Sequence, residues 1–517
     1  MNRERKARLN IISSLLYQLT ALFCGLIIPR LLIDAFGSAA YGATMSIAQF
    51  LSYITLFEGG IGGVARALLY EPLARQKTED IARIVYSISR FFKWIAFGFL
   101  AYTFVLACIY KQIAHFESFS FWNSFLLVLV ISISTMGQYY IGMAYQVLLQ
   151  ASQLSYVANF LAIVTSLVNT ALILILVHMN CSLIVVKLFS SIVFVIRPLV
   201  LSVYVKRKFQ LPPENEVSNI PKRLPGQWSG LSQHLAYFFF SNTDVVVLTL
   251  MKSLSLVSVY SVYSNVVKML QGLTNSFSAG MEALFGELLA RGKDKQLSQI
   301  FTHYETLISM VSISLFSVTL LLIVPFVRIY TRGVTDADYI QPVFGFVLIL
   351  AILVECLRAP YHCLCIAAGH FKQTEWAAYG ETMINILFSV LLVIPFGLSG
   401  VAAATLCASA FRFLYYVYYL QENILRRRIY LFFKRALINT ADLLLICLIG
   451  SFLLKHLQLQ NFFEFILTGG LFTALSILIT VGVNALLDYK ETKWLFGKFM
   501  DQKKSDPNGK RKGLLNF

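Results

Sequence analysis

Charge is what this sequence has least of. Only 13% of its 517 residues are Asp, Glu, Lys or Arg, about half the share of a soluble domain. Acidic residues are the scarcer kind, 26 against 43 Lys and Arg. No GxxxxGKS/T occurs, so no P-loop ATPase is built in, and neither HExxH nor GxSxG is present. The eight cysteines form no CxxC and read as small core residues. No expected outer loop is long enough for the catalytic domain that a polymerase, ligase or membrane sugar transferase needs. The lone DxD, Asp336-Ala337-Asp338, reads as part of a solvated loop. The chain is therefore expected to be no enzyme, with no cofactor and no metal site.

Apolar residues fill the space that charge leaves. They make up 57% of the chain, with a mean hydropathy of +0.69. The first run, 11–33, reads IISSLLYQLTALFCGLIIPRLLI. It is long enough to span about 30 Å of hydrocarbon as a helix, and it lacks the cleavage site of a signal peptide. About fourteen such spans follow one another, the last two at 436–455 and 462–487. With the first end placed inside, thirty Lys and Arg fall in inner segments and four, Lys111, Lys252, Arg332 and Lys455, in outer loops. That bias predicts an even number of spans and both termini in the cytoplasm. It also accounts for the net charge of +17 without nucleic acid.

The fold class expected is an all-α polytopic membrane protein. A shift of 219 residues lays the first six spans over the next six. Six is even, so the two copies share one orientation, as in transporters built from parallel repeats. The domains expected are an N-terminal six-helix lobe at 1–205, a proline-rich cytoplasmic linker at 206–228 and a C-terminal six-helix lobe at 229–425. Two additional helices at 426–487 and a basic cytoplasmic tail at 488–517 complete the chain.

Charges inside spans mark function by default, because burying them in lipid is costly. Arg30, Arg197, Lys268, Arg358 and Arg412 would suit a water-filled cavity for an anionic substrate, since arginine grips phosphate bidentately and lysine adds a mobile charge. Asp244, Glu355 and Glu381 are the carboxylates that could couple to an ion. Glu355 and Arg358 share a helix face and are expected to pair. Arg90, Lys93 and Arg328 lie near span ends and are expected to snorkel.

Several stretches carry a resemblance. IIPRLLIDAFGSAAYGATMSIAQF, LFEGGIGGVARALL, FFFSNTDVVVLTL, VSVYSVYSNVVKML and IPFGLSGVAAATLCA occur in that order. Together with the spans, they make the chain resemble the Wzx-type O-antigen and capsule flippases. These form the polysaccharide transporter branch of the MOP (multidrug/oligosaccharidyl-lipid/polysaccharide) and MATE superfamily. The resemblance implies two lobes around a cationic cavity in the bacterial cytoplasmic (inner) membrane. It implies transport of undecaprenyl-diphosphate-linked oligosaccharide, an O-antigen (lipopolysaccharide), capsule or exopolysaccharide unit, to the periplasmic leaflet by alternating access. Partners would be the lipid-linked substrate, the bilayer and the polysaccharide polymerase and chain-length machinery. The alternative is a MATE-like cation-coupled multidrug exporter. The first span has no carboxylate before Asp34, which favours the lipid-linked sugar.

Overall fold

The computed structural model describes residues 3–58, 61–114, 119–218, 220, 231–276, 281–370, 372–457, 459–489 and 493. Most of the expected linker after 218, and all of the expected basic tail beyond 489 except residue 493, lie outside them.

Every described element is helical. The order begins α1 (Arg3–Phe36), α2 (Ser38–Leu51), α3 (Ile61–Ala74), α4 (Thr78–Ile113), α5 (Phe121–Gly137) and α6 (Met143–Ala151). It continues with α7 (Ser155–His178), α8 (Leu183–Phe209), α9 (Leu231–Met251), α10 (Leu254–Ser276) and α11 (Met281–Ala290). It ends with α12 (Asp294–Tyr330), α13 (Pro342–Ala367), α14 (Glu375–Leu420), α15 (Tyr430–Leu454) and α16 (Phe462–Leu487). Among the described residues, ten helical stretches are long and apolar enough to cross a membrane. Large apolar side chains such as Ile11, Phe23, Trp94, Leu437 and Phe463 stand exposed on them, as lipid-facing helices require.

The expected second, seventh and eighth spans are not among the ten. The second is broken: α2 runs into a 3₁₀ turn, Ser52–Glu58, before α3. The seventh is α9, Leu231–Met251, whose fully described part, Phe238–Met251, is apolar. The eleventh and twelfth run together as α14, bent at Gly397, whose φ of +55° lies in the left-handed region that glycine enters freely. Pro395 stands just before the bend.

By contacts the chain forms two compact units. The first is Met1–Asn265 with Gly333–Tyr339 and Val393–Leu398; the second is the remainder from Val266. This division falls inside α10. Within the first unit, α2 lies so close to α10 that a Cβ on Gly42 would sit 1.8 Å from the Leu254 carbonyl oxygen. Asp336, expected in a solvated loop, instead caps α2. Its carboxylate accepts from the Ser38 backbone N–H at 2.6 Å and from the Ser38 hydroxyl at 2.7 Å. A helix start offers unsatisfied N–H donors, and a carboxylate there meets both their hydrogen-bonding and their partial positive charge. Tyr339, three residues on, donates to Ser38 Oγ at 2.7 Å, and burial lifts its phenol above the ordinary value.

Within the second unit, α12 packs against α13, α15 and α16. The buried residues of α16 are Thr468, Phe472, Ser476, Thr480 and Asn484. Their spacing of four keeps them on one helix face. Thr480 accepts from Ser314 at 3.1 Å, and Asn484 meets Arg435 at 2.6 Å and Asp442 at 2.9 Å. All eight cysteines are free. Four are buried, whereas Cys407 is exposed and Cys108, Cys181 and Cys447 are half-buried, so the expectation of eight core residues is corrected.

Candidate functional site

Two constellations of intramembrane polar residues stand out, one in each unit. The first is built where α8 approaches the α5–α6 junction. Gly137 and Gly142 make that approach possible: a Cβ on Gly137 would lie 2.8 Å from Val195, two residues before Arg197, and one on Gly142 2.8 Å from Pro198, the residue after it. Between α5 and α6 the chain makes a π-helical turn, Gln138–Gly142, a distortion frequent at functional sites. On the facing helix, Pro198 has no N–H, so the Phe194 carbonyl loses its helical donor. The result is a cavity of about 540 Å³ lined by Ser134, Thr135, Gln138, Gln146, Phe194 and Arg197, among others. Gln138 donates to Gln146 at 2.8 Å, and Tyr139 donates to Glu58. Arg197 has no described carboxylate partner. A guanidinium beside amides and hydroxyls offers donors for an anion and mixed donors and acceptors for hydroxyl groups.

The second constellation is a charge network inside the second unit. Glu381 on α14, fully buried, receives Arg358 from α13 and Arg412 from the far half of α14. Arg412 also donates to the Tyr416 hydroxyl at 3.0 Å, whose ring stacks on His362 with centroids 5.8 Å apart. The expected pairing of Glu355 with Arg358 is replaced. Arg358 turns to Glu381, and Glu355 accepts from Gln271 at 2.8 Å and Ser409 at 3.4 Å. The physical reason is burial: Glu381 has no exposure at all, and a carboxylate so placed requires full compensation. Two guanidiniums and two carboxylates leave this group near neutrality.

The other residues singled out from sequence fall as follows. Arg30 is half-buried and pairs with Asp34 one turn on, at 2.8 Å. Asp244 is buried and accepts from Tyr260 at 2.8 Å. Lys268 is exposed, with no ion pair among the described residues. Arg30, Arg197 and Asp244 belong to the first unit; Lys268, Glu355, Arg358, Glu381 and Arg412 belong to the second. Arg90 and Lys93 do not merely snorkel, because both reach Glu214.

Sequence reasoning missed a further buried pair. Glu305 on α12 receives Arg427 at 2.8 Å and the Tyr361 hydroxyl, and Arg427 lies over the Phe301 ring, 4.8 Å from its centroid. By its place in the sequence Arg427 belongs with the loop cations, and Glu305 sits in the first turns of an apolar run. The signal available was the isolated acid itself. Among the described residues no group of three or more His, Cys, Asp or Glu is placed to hold a metal.

No family model matches the chain, and no curated protein matches it. Solved structures do, and the fold they share with this chain is an all-helical one with many helices long and apolar enough to cross a membrane. One such structure is the lipid II flippase MurJ in an inward closed conformation, with a TM-score of 0.68 and 16% identity, covering 92% of this chain and 98% of that one. Another is the MATE multidrug transporter DinF-BH in a ligand complex, at 0.58 and 16%, covering 83% and 98%. A third is an inward-facing MATE family transporter of the MOP superfamily, at 0.56 and 13%, covering 78% and 95%. At such identities the likeness is one of fold.

Proposed function

We propose that this protein is a flippase that moves undecaprenyl-diphosphate-linked oligosaccharide repeat units from the inner to the outer leaflet of a bacterial cytoplasmic membrane. The observation that carries the reading is Arg197. It is a cation without a carboxylate partner among the described residues, set in a cavity whose other polar groups suit sugar hydroxyls. The fold shared with a lipid II flippase supports a lipid-linked substrate. In this reading 1–205 and 229–425 act as two lobes that alternate access, 426–487 is an added helix pair, and both termini lie in the cytoplasm. Polymerase and chain-length proteins take up the product. Arg197 in the first unit is the cation that meets the diphosphate, because it has no described carboxylate partner; Lys268, exposed in the second unit, likewise has none. Arg30, Arg358 and Arg412 become available only as Asp34 and Glu381 let go.

Coupling to an ion gradient falls to Asp244, Glu355 or Glu381. Glu355 leads, since it is held by neutral donors and has no ion pair among the described residues. The test uses cells depleted of the protein, from which undecaprenyl-linked oligosaccharides are assigned to a leaflet by their access to an external glycosidase. Complete units held on the inner leaflet support the flippase. Normal outer-leaflet units overturn it.

A second reading, a cation-coupled drug exporter, draws on the likeness to the MATE transporters and on the buried Asp244. Efflux of a cationic dye that stops on depletion, with normal oligosaccharide distribution, supports it.

A further inference from the structure

The chain that leaves α8 does not run free. Gln210 ends the helix in the left-handed region, at φ +48°, and residues 211–218 fold back along the first turns of α4. Tyr86 donates to the Pro212 carbonyl at 2.6 Å, Arg83 donates to the Ser218 carbonyl at 3.1 Å, and Val217 packs on Ala82 and Tyr86. At the centre of this fold-back, a single turn presents Glu214 to Arg90 at 2.8 Å and to Lys93 at 3.7 Å.

Beside Glu214 is a cavity of about 510 Å³. Its walls include Tyr86, Tyr140, Tyr145, Lys93 and Lys206. The Lys93 ammonium lies 5.8 Å from the Tyr140 ring centroid, and that of Lys206 lies 5.9 Å from Tyr145. Lys206 has no ion pair among the described residues. Lys93 and Lys206 thus share the walls of this space with one carboxylate, Glu214, which Arg90 also binds from outside the lining, and the space is far larger than a water molecule. Two ammonium donors lining one cavity are chemistry that binds phosphate, and the tyrosine faces already hold the lysine charges in place.

We propose that this cavity is a phosphate-binding site of the first unit, and that Glu214 is its resident anion, displaced when ligand enters. The linker is then tied to α4 in the empty state and released in the filled one. The ligand is a phosphate or diphosphate group, either on a lipid headgroup or on a soluble compound. The site uses none of the Arg197 cavity's residues, so it stands or falls separately from the proposed transport function.

The test takes the full chain in phosphatidylcholine nanodiscs and titrates inorganic pyrophosphate by calorimetry, with hydrogen exchange over 211–218 as a second readout. Glu214→Gln removes the competing charge and is expected to bind about tenfold tighter than the wild type, a gain of about 1.4 kcal/mol. The double variant Lys93→Gln/Lys206→Gln is expected to lose the binding that Glu214→Gln tightens, while Arg207→Gln/Lys208→Gln, outside the cavity walls, retains it. Exchange over 211–218 rises on binding. Nanodiscs containing phosphatidic acid separate the sources. Competition with pyrophosphate identifies a lipid headgroup as ligand, and unchanged pyrophosphate affinity identifies a soluble phosphate. Absence of binding in both wild type and Glu214→Gln, equal affinity in the two, or equal loss in the Arg207/Lys208 control overturns the proposal. Glu214 lies in a surface turn, so its variant folds even where the lysine pair does not.

Discussion

Arg197 in the first unit stands among amides, hydroxyls and a phenylalanine, whereas Arg358 and Arg412 in the second converge on one buried carboxylate. All three look alike in the sequence, as arginines inside apolar runs. A guanidinium already bridged to a carboxylate has its charge satisfied and its geometry fixed, and binding a substrate there means breaking that pair first. A guanidinium without a carboxylate keeps its binding capacity for a ligand. Under the proposed function, the second unit's network is the structural or switching element and the first unit's arginine the recognition element.

Perturbing the two units separately sharpens this contrast. The largest effect is expected at Glu381. Glu381→Ala leaves two buried guanidiniums without their carboxylate, at a cost of about 3–5 kcal/mol, the range measured when one partner of a buried pair is removed. Thermal unfolding in detergent reads it, and a loss below about 1 kcal/mol would mean that water reaches the network freely. The first unit has its own weak point in the close approach at Gly42. Gly42→Ala drives a methyl group into the Leu254 carbonyl and is expected to cost about 1–3 kcal/mol, checked by the same melt. Asp336→Ala removes a helix cap and is expected to cost about 1 kcal/mol.

The smallest stability effect is expected at Arg197. Arg197→Ala should change stability by no more than about 0.5 kcal/mol, because no ion pair is lost. The same variant should lower transport by about tenfold or more, the worth of a charge-assisted hydrogen bond to a phosphate. A melt that falls as far as that of Glu381→Ala would erase the distinction between the units.

Much of the fold was legible because membrane spans announce themselves by length. The long runs at 84–110 and 301–330 became α4 and α12, each extended by several residues of amphipathic helix at its start. Spans held together by polar contacts were harder. The second span breaks after Leu51, where Gln49 and Ser52 bond to Asn242 on α9 and the helix tightens to 3₁₀. Composition alone does not show such a break.

Of the site, the residues were legible and their partners were not. Glu355 and Arg358 sit one turn apart, so local spacing pairs them, but Glu381 comes from 23 residues away on another helix. Arg197 was visible as a charge in an apolar run. Its lack of a carboxylate depends on what α5 and α6 bring to it, and that follows from Gly137 and Gly142 admitting α8.

The role proposed for Arg197 is recognition of an anionic, sugar-bearing lipid. The most direct measurement reconstitutes the purified protein in liposomes containing a short-chain polyprenyl-diphosphate oligosaccharide. It follows the fraction that becomes accessible to an external glycosidase, for the wild type and for Arg197→Ala. Rapid exposure is expected with the wild type and little above protein-free liposomes with the variant, at equal protein stability. Equal exposure by the two proteins, or none by the wild type, would contradict that role.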